Sequence, residues 1–352
     1  MPRRTDDSTR TIDRRTFLAS GAAAVGATAI GSATLSATTD LAASSNDGAR
    51  TGYIDSHVHV WTDDVETYPL DPKWRPEQME PRAFLPETLL SHARPCGVDR
   101  IVIVQMSYYG SDNRYMLDVM QSAPESWGGI GIVDPNDHPA EAMRRLAAKR
   151  VRGFRVQPHD ATPDRWLDDD ASTAMWRAAN DLGVAICLLI DPPFLASVER
   201  MLRKFPATRV VIDHFARIGI DGMVRPADLD ALCALAEFEQ VHVKVSAYYA
   251  LGRKTAPYDD LGPMIRRVID AYGSSRAMWG SDSPYQVLEG HTYADSLALL
   301  REAFGWTDVI DLGDSSFTFR VLKLPEVEKS GGGLKLVIVA LLLMIVLGGL
   351  GV

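Results

Sequence analysis

Asp55-Ser56-His57-Val58-His59, set between Ile54 and Val60, reads as a short apolar strand that carries two imidazoles. Side chains alternate along a strand with a period of two, so Asp55, His57 and His59 are expected on one face, with Ile54, Val58 and Val60 among or beside them. A hydrogen-bonded pair of core histidines is the purely structural explanation. Polar residues at the ends of later strands favour a functional one.

The pattern begun by this strand repeats along the chain. Between Thr51 and Phe304 short β-rich runs alternate with amphipathic segments, and the runs start near Tyr53, Arg100, Gly129, Val151, Val184, Arg209, Val241 and Arg276. A spacing of roughly thirty residues suits strand-helix units, and eight of them predict a closed TIM (β/α)8 barrel, usually about 250 residues long. Helices are expected over Pro139 to Lys149, which opens with proline and ends basic, and over Ala171 to Leu182 and Leu261 to Tyr272, each followed by glycine. A doubly wound open sheet is the competing architecture, but the first strand-to-helix turn lacks the glycine fingerprint of a dinucleotide site.

Later strands end in polar side chains. Gln105 and Ser107 share a face near the end of the second strand, Arg155 and Gln157 on the fourth, and Lys244 and Ser246 on the seventh. His214 follows Val210 and Ile212, and Asp282 follows Met278 and Gly280. Barrel enzymes build their sites at these strand ends. Tyr248, Tyr249, Tyr285 and His291 fall in the loops after strands seven and eight, where specificity is set. His92, His138, His159 and His242 read as ordinary surface or turn histidines.

Composition bounds the partners. The 352 residues are 46% hydrophobic and 24% charged with a formal net charge of -9, and no long basic run interrupts the central region. Nucleic acid is therefore not an expected partner, and a small-molecule substrate is. The three cysteines, Cys96, Cys187 and Cys233, are widely spaced, which indicates neither a disulfide framework nor a cysteine zinc site and leaves room for a single bridge.

Both ends differ from the centre. Asp13-Arg14-Arg15-Thr16-Phe17-Leu18, then an Ala- and Gly-rich run from Ser20 to Leu35 and small-residue cleavage sites, resembles a twin-arginine export signal. From Leu334 to Val352 the only charge is Lys335, a run that reads as a transmembrane-like helix. The expected organisation is a signal segment over 1–43, a linker over 44–50, a barrel over 51–306, a linker of unassigned origin over 307–333 and the apolar segment over 334–352. The expected location is the periplasm or cell envelope, with the C-terminal segment as a membrane contact. Lys323 and Lys329 precede the span and Lys335 lies at its start, and by charge bias they oppose the orientation that export would give. A fused or frame-shifted end would explain that conflict.

Five motifs carry a family resemblance. Asp55-Ser56-His57-Val58-His59, Gly153-Phe154-Arg155, Ile212-Asp213-His214-Phe215, Val243-Lys244-Val245-Ser246 and Met278-Trp279-Gly280-Ser281-Asp282-Ser283-Pro284 resemble, in order, the signatures of the amidohydrolase-related branch of the amidohydrolase superfamily. Within that branch the chain is most similar to lactonase-like hydrolases. The resemblance implies that His57, His59, His214 and Asp282 converge on one pocket. Asp282 would act as general base, and the histidines would either ligate one divalent metal, zinc or manganese, or polarise the scissile carbonyl without metal. The metal-dependent relatives carry a histidine on the fifth strand, where this chain reads Val184-Ala185-Ile186-Cys187-Leu188, so a binuclear centre is not expected.

The sequence thus predicts a hydrolase that opens a lactone or similar cyclic carbonyl compound, with Arg155, Gln105, Lys244, Tyr248, Tyr285 and His291 as substrate contacts. A metal-dependent decarboxylase of a small unsaturated acid and a non-catalytic ligand-binding barrel are the two alternatives.

Overall fold

The computed structural model describes residues 52–159, 161–304, 308–310 and 321–323. Eight parallel strands run in sequence order: β1 (Tyr53–Val58), β2 (Val98–Val104), β3 (Trp127–Gly131), β4 (Val151–Val156), β5 (Ala185–Leu188), β6 (Arg209–Ile212), β7 (Val241–Ser246) and β8 (Ala277–Gly280). A helix follows each: α1 (Pro86–Ala93), α2 (Arg114–Ser122), α3 (Pro139–Ala148), α4 (Asp170–Leu182), α5 (Leu195–Lys204), α6 (Pro226–Ala234), α7 (Gly262–Tyr272) and α8 (Tyr293–Phe304). This is the TIM-barrel arrangement, and each strand begins within two residues of its expected start.

Local chemistry sets the helix ends. Asp169 caps α4 by accepting a hydrogen bond from the Ser172 amide at 2.7 Å, and Gly183 ends it with φ +64°, a left-handed turn that glycine adopts without Cβ strain. Pro139 opens α3, and Arg203 and Lys204 lie at the negative end of the α5 dipole.

Two apolar layers hold the strands. Ile54, Val102, Val104, Ile130, Ala185, Cys187, Val211 and Met278 form the barrel interior, while a larger layer, including Trp176, Leu202, Val243 and Ile265, packs the strands against the helices. Each fully buried aliphatic side chain contributes on the order of 1.5–3 kcal/mol.

The barrel closes between its first and last strands. Val58 bridges Ser283, His59 N–H donates to the Ser283 carbonyl and Asp282 N–H donates to the His57 carbonyl, both at 2.8 Å. Gly280 makes this approach feasible, because a Cβ there would lie 2.8 Å from His57 Cβ.

Two sequence expectations are corrected. Asp55 does not share a face with His57 and His59: Asp55 pairs with Ile101 and Val58 with Ile103, so three residues of β1 span what two span on β2. This bulge leaves Asp55 facing α8, where it accepts from Tyr293 Oη at 2.7 Å, while Ile54 fills the interior. The second correction concerns the membrane: among the described residues no helix is long and apolar enough to cross one. The described residues therefore give the fold class as the barrel alone, and the membrane partner and the envelope location inferred from a transmembrane-like helix are withdrawn. The apolar segment 334–352, the signal segment 1–43 and most of 307–333 lie outside the described residues. Within 307–333 the described pieces are Asp308–Ile310 and Val321–Lys323, paired antiparallel.

Candidate active site

The site lies at the carboxyl ends of the strands, and backbone turns rather than strand alternation assemble it. His57 and His59 enter the barrel beyond the β1 bulge. After β6 the chain turns through consecutive left-handed residues, His214 (φ +51°), Phe215 (+54°), Ala216 (+53°) and Arg217 (+56°). That turn lets the adjacent residues Asp213 and His214 both reach the pocket. Asp282 (φ +61°) and Ala247 (φ +60°) make equivalent turns after β8 and β7. Strained conformations of this kind persist where the surrounding structure over-determines them, and they cluster at functional sites.

Asp282 is the hub of the imidazoles. Its Oδ1 lies 3.4 Å from His59 Nε2 and 3.5 Å from His57 Nε2, and its Oδ2 lies 3.7 Å from His214 Nε2. The remaining ring nitrogens define tautomers. His59 Nδ1 is 2.8 Å from the Val104 carbonyl and must donate to it, so in the neutral ring Nε2 presents a lone pair towards Asp282. His214 Nδ1 shares a 2.8 Å hydrogen bond with Ser246 Oγ. Burial lowers the proton affinity of all three rings, with His214 down to about 4, and Lys244 lowers that of His57 further. For Asp282 burial alone acts upward, but the imidazoles of His214, His59 and His57 hold it well below the ordinary carboxylate range.

Below this hub lies a buried charge cluster. Asp213 Oδ2 accepts from Arg155 Nη2 at 2.8 Å, and Asp213 Oδ1 is 3.0 Å from Lys244 Nζ. Burial pushes the Asp213 carboxyl up, but Lys244 and Arg155 outweigh it and hold the group well below its usual range. The same cations flank His57, with Arg155 Nη2 at 2.9 Å from Nε2 and Lys244 Nζ at 3.1 Å from Nδ1. Neutral imidazole accepts at one nitrogen only, so Asp213 must carry the charge that His57 cannot.

His57, His214 and Asp282 each offer a ligand atom, and these atoms lie within 4.8 Å of one another. Three nitrogen and oxygen donors suit a mononuclear catalytic zinc or manganese site with an open position for water. The buried Oδ1 of Asp282 has no hydrogen-bond partner, and the lone pair of His59 Nε2 faces it, so a cation between them would satisfy both. The residues fit a divalent ion.

The other expected residues divide. Arg155 and Lys244 are in the pocket, where the acid that pairs with Arg155 is Asp213, while Asp191 binds Arg217 at 2.6 and 2.8 Å. Tyr285 lies at the mouth, 6.2 Å from the His59 ring. His291 lies behind, with Nδ1 2.8 Å from Tyr258 Oη and its ring 6.1 Å from Tyr249. Gln105 is buried, and its amide nitrogen donates to the Asp112 carbonyl at 2.7 Å, so that nitrogen holds the loop after β2. Tyr248 is buried in the outer core and donates to the Val245 carbonyl. Of the other four histidines, His92 is in α1, His138 precedes α3, His242 is near the start of β7 and His159 is exposed in the segment after β4. Cys187 is buried in the barrel interior, where burial pushes its thiol up to about 12, and all three cysteines are free.

Sequence reasoning missed Asp213 as a pocket residue and passed over Tyr249 in favour of Tyr248. Alternation gives the wrong face for Asp213 because the left-handed turn begins at the next residue. Ala247 has the same effect on the tyrosines.

A parallel barrel with a histidine and aspartate centre at its carboxyl end defines the class, and comparison with known proteins places the chain within it. The amidohydrolase family profile matches residues 54–315, and the chain belongs to that family as an amidohydrolase-superfamily hydrolase. It is 32% identical over 245 residues to an L-fucono-1,5-lactonase of Burkholderia ambifaria, covering 68% of this chain and 82% of that protein. It is 25% identical over 240 residues to a 4-sulfomuconolactone hydrolase of Rhizobium radiobacter, covering 66% and 76%. The solved structure of an amidohydrolase from Burkholderia multivorans with bound HEPES shares the fold, with a TM-score of 0.61, 20% identity and coverage of 72% and 91%.

Proposed function

We propose that the chain hydrolyses a lactone, with Asp282 as the general base that activates water. The observation that carries this reading is the unpartnered Oδ1 of Asp282, buried beside His57 and His59 and held anionic. In the proposed reaction Oδ1 takes a proton from water as the water oxygen attacks the ring carbonyl. The carbon–oxygen ester bond then breaks, and the ring oxygen leaves as a hydroxyl after receiving a proton. Arg155 and Lys244 place positive charge beneath the developing oxyanion, which is where electrostatic stabilisation acts. His59 cannot donate through Nε2 until it is protonated, so it suits the role of proton acceptor or ligand. A divalent ion on His57, His214 and Asp282 would supply Lewis-acid polarisation and a more acidic water. The lactone-directed names of the two curated relatives support the substrate class.

The test is a panel of sugar and unsaturated lactones assayed with the full chain and with Asp282→Asn, together with elemental analysis before and after chelation. The expected result is ring opening by the native chain, and a loss of about 1,000-fold or more in the variant with an unchanged circular dichroism spectrum. Full activity in Asp282→Asn overturns the general-base assignment. Metal near one equivalent whose removal abolishes turnover would assign the polarising role to the ion; full turnover without it would assign that role to Arg155 and Lys244.

A further inference from the structure

Tyr249 is half-buried at the mouth, and its hydroxyl donates to Asp282 Oδ2 at 2.7 Å. Oδ1 is left without a hydrogen-bond partner. The two oxygens of one carboxylate are therefore in different states: one is tied to the loop after β7, and the other faces His57 and His59. The tyrosine is itself placed by neighbours. Its ring lies 6.0 Å from Tyr285 at an interplanar angle of 27°, and 6.1 Å from His291. Its chain segment, the turn Tyr248–Ala250, is anchored by the buried Tyr248, whose hydroxyl binds the Val245 carbonyl.

We infer that Tyr249 is a positioning residue that fixes the rotation of the Asp282 carboxylate, so that Oδ1 alone is presented to the reacting water. The inference rests on the general-base reading of Asp282. A carboxylate free to rotate about its last bond would present either oxygen in several orientations, whereas a charge-assisted hydrogen bond to one oxygen selects a single orientation. Removing the hydroxyl should therefore lower the rate of the chemical step and leave binding of the ring nearly unchanged, since phenylalanine keeps the aromatic surface beside Tyr285.

The test compares Tyr249→Phe, Asp282→Asn and the double variant in full-length protein, on whichever lactone the native chain opens, with crystal structures of the native chain and Tyr249→Phe. Tyr68→Phe is the control, because Tyr68 makes a similar 2.8 Å hydrogen bond to Asp118 on the surface. The expected result for Tyr249→Phe is a fall in kcat of about 10- to 100-fold with KM within about threefold, no further loss when it is added to Asp282→Asn, and a rotated carboxylate in the crystal. Tyr68→Phe should match the native rate. An unchanged kcat, a loss confined to KM, or a carboxylate that keeps its orientation overturns the inference. If the native chain opens no lactone, the functional reading falls separately, and the crystallographic orientation decides the role of Tyr249 alone.

Discussion

Asp213 is the anion on which the two buried cations of the site depend. Arg155 and Lys244 both reach it within 3.0 Å, and neither has an equivalent carboxylate elsewhere among the described ion pairs. Removing one member of a buried charge network leaves the others uncompensated, at a cost of about 3–5 kcal/mol. Asp213→Asn should therefore lower the unfolding free energy by that amount in urea titrations, and adding Lys244→Met should recover part of it. A single variant as stable as the native chain would show that water, not Asp213, solvates the cations. His57, His59, His214 and Asp282 were legible in the sequence because histidine and aspartate at strand ends carry their own chemical signal. Asp213 was not, because its role depends on a backbone conformation that its neighbours do not announce.

The informative elements are the turns after β6, β7 and β8. A left-handed residue other than glycine costs roughly 1–2 kcal/mol, so the run from His214 to Arg217 must be held by its burial. Strand positions were readable from β-rich runs bounded by turn signals, and helix ends from proline, glycine and charge. The side-chain directions at strand ends were not, because alternation by two stops applying where the strand does. Tyr248 and Tyr249 show this directly: Ala247 turns the chain so that the first enters the core and the second reaches Asp282. The β1 bulge does the same to Asp55. The seam opposite that bulge supplies a prediction for the element. Gly280→Ala would press a methyl group against His57 Cβ, at 2.8 Å, and against the His57 amide, at 3.0 Å. Overpacking of this kind costs about 1–3 kcal/mol. The variant should melt earlier in calorimetry and lose activity more than its stability loss explains, since His57 must move. Unchanged melting and rate would mean that the seam yields freely.

For the molecule as a whole, the buried titratable groups set the response to acid. His214 is held down to about 4 against an ordinary 6.5, and His57 and His59 are also lowered, so between those values the unfolded chain binds more protons than the folded one. Stability therefore rises with pH through that window and is lost as pH falls from about 6.5. Asp55 opposes this. Burial pushes it from 3.8 up to about 6, so the folded chain gains relative stability as pH falls from about 6 to 3.8. The His214 and Asp55 shifts are each worth about 3 kcal/mol when complete and oppose one another, and the lowering of His57 and His59 tips the balance to the imidazoles. Urea midpoints measured without added metal should be lower at pH 5 than at pH 7; equal midpoints would contradict the burial of neutral imidazoles.

The seam between β1 and β8 also bears on how the chain acquires its activity. The hydrogen bond from the Ser281 amide to Asp55 joins residues 226 positions apart, and Asp282 meets His57 across the same gap. Contacts between such distant positions form late, because the entropy of closing the intervening loop must be overcome first. A chain released from the ribosome before β8 holds both histidines of β1 and no base for them to face. Refolding experiments should accordingly show helical signal returning ahead of turnover, with catalytic competence appearing only when the circle is complete.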